Sequence, residues 1–158
     1  MNTPVQVRLK KSESKVEVVT PGRGDYLAYI RLVVADLARQ VGFHEDEVAK
    51  IEMAVDEACS NVVEHAYAEK RAWHWKSSPE IRLDVREEND RLIIEINDHG
   101  QQFDFSNYQP QDIEERIAGM KTGGYGVFIM RKFMDEVQYN SSSETGNTLR
   151  LVKYLKKP

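Results

Sequence analysis

Cysteine occurs once in the 158 residues, at Cys59, so no intrachain disulfide can staple this chain. No Gly-Lys pair occurs anywhere, which excludes a Walker A loop. No G-x-G-x-x-G follows an apolar run, which excludes the dinucleotide-binding turn. The four histidines (His44, His65, His74, His99) have no metal-ligand spacing with Cys59, so a zinc site is not expected. Met1 to Lys11 lacks the apolar stretch of a signal peptide, and no run approaches the roughly 18–20 residues of a membrane span. Basic residues are the minority, 22 against 26 acidic, for a net charge of -4. A chain without a basic field is not expected to contact nucleic acid directly. These absences leave a globular protein expected in a reducing, cytoplasmic setting, with no membrane contact, organised as one domain over residues 1–158.

What is present reads as clustered strands and amphipathic helices. Pro4 to Lys10 and Lys15 to Val19 alternate as short strands. Pro21-Gly22-Arg23-Gly24 is a turn, and Asp25 is placed to N-cap the next helix. Leu27, Ile30, Val34, Leu37 and Val41 recur at helical spacing until Gly42. A second helix is expected from about Asp46 to Ala68, with Val48, Ile51, Val55, Ala58 and Val62 as its apolar stripe. Cys59 reads as a small packing residue of that helix. The polar stretch from Ala68 to Pro79 reads as a loop, whose Trp73 and Trp75 either fold onto the domain or anchor a partner. Ile81 to Val85 and Leu92 to Ile96 form a hairpin, and the near-continuous apolarity of the second strand marks it as central. His99 to Gly124 has little periodicity beyond a short helical pattern near Ile113. A helix then runs from about Tyr125 to Met134, and Val137-Gln138-Tyr139 and Thr148 to Leu155 close the chain as a hairpin. The order fits an α+β two-layer sandwich, helices on one face of a mixed or antiparallel sheet.

Three places can carry chemistry. Glu57, Asn61 and His65 stand at i, i+4 and i+8, one polar line beside the apolar stripe, at the edge of the core where a cleft can form. The plain alternative is a solvated face, but Asn is a poor helix former and a carboxamide oxygen suits Mg²⁺. Asp98-His99-Gly100 follows a strand; it is either an ordinary turn or a carboxylate placed to accept from the amino group of a base, with Gly100 permitting close backbone approach. Gly123-Gly124-Tyr125-Gly126 opens a helix, either as a loop or as a set of backbone N–H groups facing an anion.

As an ordered set these segments resemble the GHKL ATPase superfamily and, within it, the anti-sigma-factor serine/threonine kinases of bacterial partner-switching systems. The resemblance covers roughly Tyr26 to Leu155. It rests on Ala54-Val55-Asp56-Glu57-Ala58 with Asn61 and His65-Ala66-Tyr67, Asp98-His99-Gly100 with Phe103-Asp104, Gly124-Tyr125-Gly126 with Met134-Asp135-Glu136-Val137, and Gly146-Asn147-Thr148 with Lys153. It implies ATP and Mg²⁺ as cofactors. Asn61 would coordinate the ion, and Glu57 would be the general base toward the protein hydroxyl. Asp98 would read the adenine amino group with support from Thr148. Gly100, Gly124 and Gly126 would shape the pocket, and residues 99–123 would be its lid. Many relatives carry Arg just before the glycine box; here Thr122 stands there, and Lys121 beside it would supply the charge near the terminal phosphate. Gln102 stands where the family often has Gly or Pro.

The implied partners are a sigma factor and an anti-sigma-factor antagonist, with a homodimer as the candidate assembly. Only about 25 residues precede the first helix and no long second domain follows, so a standalone kinase is expected rather than a sensor kinase, topoisomerase, chaperone or mismatch-repair relative. Two other readings stay open: a binding module in which ATP only sets the conformation that grips a partner, and a regulatory domain unrelated to sigma factors.

Overall fold

The computed structural model describes residues 7–11, 15–66, 79–102, 105 and 125–157. Six strands form one sheet: β1 (Arg8–Lys11), β2 (Val16–Pro21), β3 (Glu80–Glu87), β4 (Arg91–Asp98), β5 (Glu136–Ser142) and β6 (Gly146–Tyr154). Their spatial order is β1-β2-β3-β4-β6-β5 and every pairing is antiparallel, which settles the mixed-or-antiparallel alternative. Among the described residues, the α-helices α1 (Leu27–Val41), α2 (Glu45–Asn61) and α3 (Gly126–Phe133) bury their apolar faces in one cluster with alternate strand residues such as Val18, Leu83, Ile94 and Leu151. The architecture is the expected α+β sandwich.

β4 lies between β3 and β6, as its apolar run predicts. Leu92, Ile94 and Ile96 face the helices, while Ile93 is 0% exposed on the other face, opposite Arg86 and Val152. Arg86 pairs with Glu95 there, so aliphatic stems of charged side chains flank an apolar centre and keep their heads in water.

Local signals were read with mixed success. Gly42 closes α1 in the left-handed region, φ 111°, its N–H donating to Ala38 O and Arg39 O. Asp25 does not cap α1. A short 3₁₀ turn, Gly24–Tyr26, precedes the helix, and the Asp25 carboxylate is engaged instead by the Arg23 guanidinium at 2.8 and 3.1 Å. The first strand begins at Arg8 rather than Pro4, whose surroundings lie outside the described residues. α2 does not continue regularly toward Ala68: after Asn61 the backbone widens into a π-helical turn, Val62–Ala66. The Trp73 and Trp75 loop and most of the 99–123 lid also lie outside the described residues.

The helix layer is tied to the sheet by one buried cation. Lys153 of β6 is 6% exposed; its Nζ donates to Phe133 O at 2.6 Å, the last carbonyl of α3, and meets Glu47 Oε2 of α2 at 2.9 Å. A positive charge at a helix C-terminus is favourable in its own right. Lys50 and Lys153 hold the Glu47 carboxyl down at about 2. Because the folded value lies below the ordinary 4.5, this contact stabilises fully above pH 4.5 and is lost as pH falls through about 2. Lys153→Met should cost ~3 kcal/mol, the low end for breaking a buried pair, since Glu47 keeps Lys50. Urea unfolding should also show a shallower loss of stability for the variant between pH 4.5 and about 2 than for the wild type. Equal acid slopes would remove Lys153 from this role.

Candidate functional site

α2 presents its apolar stripe, from Val48 to Val62, entirely to the core. Geometry then forces the adjacent line, Glu57 and Asn61, to the half-buried margin. Asn61 is the last regular residue before the π turn, and the His65 side chain lies outside the described residues.

Gly126 is what allows α3 to start against this margin. A Cβ there would stand 3.0 Å from Glu57 Oε2, 3.3 Å from Asn61 Nδ2 and 3.5 Å from Asn61 Oδ1. The close approach of a helix start, not backbone strain, requires the glycine. Glu57, Asn61 and Gly126 are thus brought together, as the sequence expectation has it. Lys121 and Gly124 lie outside the described residues.

Asn61 also borders a narrow, open cleft lined by the apolar Ala58, Val62, Met130 and Leu149 and by Asp98. Phe105 and Tyr139 line another side and stack on each other, centroids 5.8 Å apart, with the Arg131 guanidinium 4.9 Å from the Phe105 ring. A mostly apolar cleft with few oriented polar groups suits a flat heterocycle.

Asp98, at the end of β4, is 6% exposed. Its Oδ1 accepts from the Gly100 N–H at 2.8 Å and from Asn147 Nδ2 at 2.8 Å. The turn and the polar anchor are therefore one structure, an Asx-type turn that fixes the carboxylate. Gly100 acts on Asp98 through its amide. Thr148, expected to support Asp98, points elsewhere: its Oγ1 donates to Asn97 Oδ1 at 2.8 Å, on the opposite face of the sheet. The β4–β6 register sets Asp98 opposite Asn147 and Asn97 opposite Thr148, so strand alternation hands the Asp98 contact to Asn147. Gly146 makes the junction possible. Its φ is +83°, and a Cβ would fall 2.5 Å from Asp98 O and 2.6 Å from His99 Nδ1. Asn147, Phe105 and Tyr139 escaped the sequence reading; only a known strand register would have identified Asn147.

Burial pushes the Glu57 carboxyl above its ordinary 4.5, helped by the neighbouring charges of Asp56 and Glu64. A carboxylate with a raised value is a better proton acceptor near neutral pH. Asp56 itself is engaged by Arg31 of α1 at 2.5 Å. Asn61 supplies the oxygen that suits Mg²⁺, and no group of three or more His, Cys, Asp or Glu forms a metal cage among the described residues. The donor set fits an ion held by one side-chain oxygen, with phosphates and water completing its shell. No helix among the described residues is long and apolar enough to cross a membrane.

An antiparallel sheet backed by three helices, with an acid–amide pair at one end of an apolar cleft and a fixed carboxylate at the other, defines a nucleotide-binding domain without a P-loop. Residues 20–153 match the family model described as a histidine kinase-like ATPase domain. The chain is 32% identical over 147 residues to the serine-protein kinase RsbW of Bacillus cereus (strain Q1) and to that of Bacillus thuringiensis subsp. konkukian (strain 97-27). It is 31% identical to the RsbW of Bacillus cereus (strain AH820). Each alignment covers 90% of this chain and 86% of the relative. The chain belongs to the histidine kinase-like ATPase family and, within it, to the serine-protein kinases of the RsbW type. ATP is the nucleotide this family uses.

Gly126→Ala tests the close approach. Alanine is the better helix former by ~1 kcal/mol, so thermal stability should be kept. The methyl must displace Glu57 and Asn61, so Mg²⁺-dependent ATP binding by calorimetry should weaken. Unchanged binding would show that the two side chains need not stand where they do.

Proposed function

We propose that this chain is an ATP- and Mg²⁺-dependent serine kinase that holds a sigma factor inactive and phosphorylates the antagonist protein that competes for it, in a cytoplasmic setting. The observation that carries the reading is the meeting of Glu57 and Asn61 at Gly126, beside a cleft edged by Asp98. The similarity to serine-protein kinases supports the reaction class; the sigma factor and the antagonist come with the family resemblance. A homodimer is the assembly this reading carries, and residues 1–158 are read as one domain.

In this mechanism Asp98 accepts from the amino group of adenine while the apolar floor holds the ring. Asn61 Oδ1 would hold Mg²⁺, which would supply charge neutralisation at the phosphates. Glu57 takes the proton of the acceptor serine as its oxygen attacks the terminal phosphoryl group and ADP leaves. Lys121 is read as the charge near that phosphate. Glu57 contributes in the transition state and little to ground-state ATP affinity.

Glu57→Gln should therefore lower phosphotransfer to the antagonist by roughly 10²–10⁴-fold, while calorimetry still shows ATP and partner binding. Wild-type activity should rise with pH along an acid limb centred above 4.5, the ordinary carboxyl value, because the base must be ionised. The sign for stability is opposite. A raised folded-state value means the native protein binds the proton more tightly, so ionising Glu57 costs stability as pH rises, and Glu57→Gln should not destabilise the fold near neutrality. If the wild type binds ATP and antagonist yet transfers no phosphate, the kinase reading gives way to an ATP-gated binding module. Thr122, where many relatives have Arg, makes that outcome informative.

A further inference from the structure

We propose that Asn147 is the residue that sets base selectivity, by locking Asp98 in one orientation and leaving one of its oxygens for the ligand. The inference rests on the reading of Asp98 as the contact to the base. The Asn147 amide is used at both ends. Nδ2 donates to Asp98 Oδ1 at 2.8 Å and to Gly100 O at 3.0 Å, with Gln101 O at 3.4 Å. Oδ1 accepts from Ser141 Oγ at 2.6 Å. The Asp98 carboxylate and the Gly100 and Gln101 carbonyls can only accept, so they fix which end of the amide faces them, and the Ser141 hydroxyl anchors the other end by donating to it. Asn147 is 3% exposed, so these bonds are sheltered from water.

The consequence falls on Asp98. Oδ1 holds two donors, the Gly100 N–H and Asn147 Nδ2, while Oδ2 has no protein donor among the described residues. Asp98 and Gln101 both line the cleft, so the ring of contacts made by Asn147 spans the cleft edge. A carboxylate oxygen accepts and cannot donate while ionised. It therefore favours a base edge bearing an amino group, such as adenine, over one bearing a carbonyl, such as hypoxanthine. Without the Asn147 donor the carboxylate can rotate and share either oxygen with Gly100 and water, and the preference blurs. Two carbonyls, Gly100 O and Gln101 O, would also lose their side-chain donor, loosening the same edge.

Calorimetric titration of the wild-type chain and of Asn147→Leu with ADP and with IDP, each with Mg²⁺, tests this. The wild type should prefer ADP, and Asn147→Leu should narrow the ADP-to-IDP affinity ratio by roughly five- to tenfold, the factor of one lost hydrogen bond. Asn147→Ser, which keeps one donor toward Asp98, should restore part of the ratio. Ser141→Ala, which keeps Asn147 and its donors but removes the anchor at the other end of the amide, should narrow the ratio less than Asn147→Leu. A thermal melt without nucleotide reports folding; if Asn147→Leu does not fold, the Asn147→Ser and Ser141→Ala ratios decide. A wild-type chain that binds neither nucleotide overturns the Asp98 reading itself. A wild type that prefers ADP, with folded Asn147 and Ser141 variants keeping the full ratio, overturns the role of Asn147 alone. Collapse of the ratio in Thr148→Val instead would return the role to Thr148.

Discussion

β4 carries a carboxylate, Asp98, to the end of a strand whose other helix-facing residues are all apolar, and leaves it 6% exposed. A buried carboxylate needs donors supplied by the fold or by a ligand. Two come from the fold, and each imposes a backbone demand. The Gly100 N–H requires the chain to turn back within two residues. The Asn147 amide requires β6 to approach so closely that residue 146 can only be glycine, because a Cβ there would fall 2.5 Å from Asp98 O. The sheet order follows the same constraint: β6 must lie beside β4, so β5 is pushed to the edge although it precedes β6 in the chain. The remaining valence of Asp98 is what a ligand can use.

At the other end of the cleft the constraint is steric rather than ionic. α2 spends one stripe on the core and leaves Glu57 and Asn61 at its margin, and at Gly126 the start of α3 comes so close that a Cβ would crowd both side chains. Packing at that junction partly shields Glu57 from water, and the cost appears as a carboxyl that gives up its proton less readily. Stability is given up where reactivity is gained. Lys153 and Glu47, by contrast, form a pair that stabilises across the physiological range while sitting away from the cleft.

Much of this was legible in the amino-acid order. The stripe of α2, the closing Gly42, the central apolar strand and the two hairpins each follow from period and punctuation, which act over a few residues. Asp98 and Gly126 were visible as types in context. What could not be read depends on pairings far apart in the chain. Asn147 and Thr148 are adjacent polar residues at the start of one strand, and which of them faces the cleft is decided by register with β4, roughly fifty residues away. Asp25 illustrates the opposite failure: a good capping residue was claimed by the guanidinium two positions before it.

The π turn after Asn61 joins the two ends of the site. Over Val62–Ala66 the backbone widens by about one residue per turn. Val62 still reaches the core at 8% exposure and lines the cleft floor, while Asn61 stands at the last position that faces both Gly126 and the cleft. Asn61 therefore stands between the two halves of the proposed chemistry, phosphate side and base side. A carboxamide suits that place better than a carboxylate: it offers an oxygen to a cation without adding a further negative charge beside Glu57, whose carboxyl burial and the Asp56 charge already push upward.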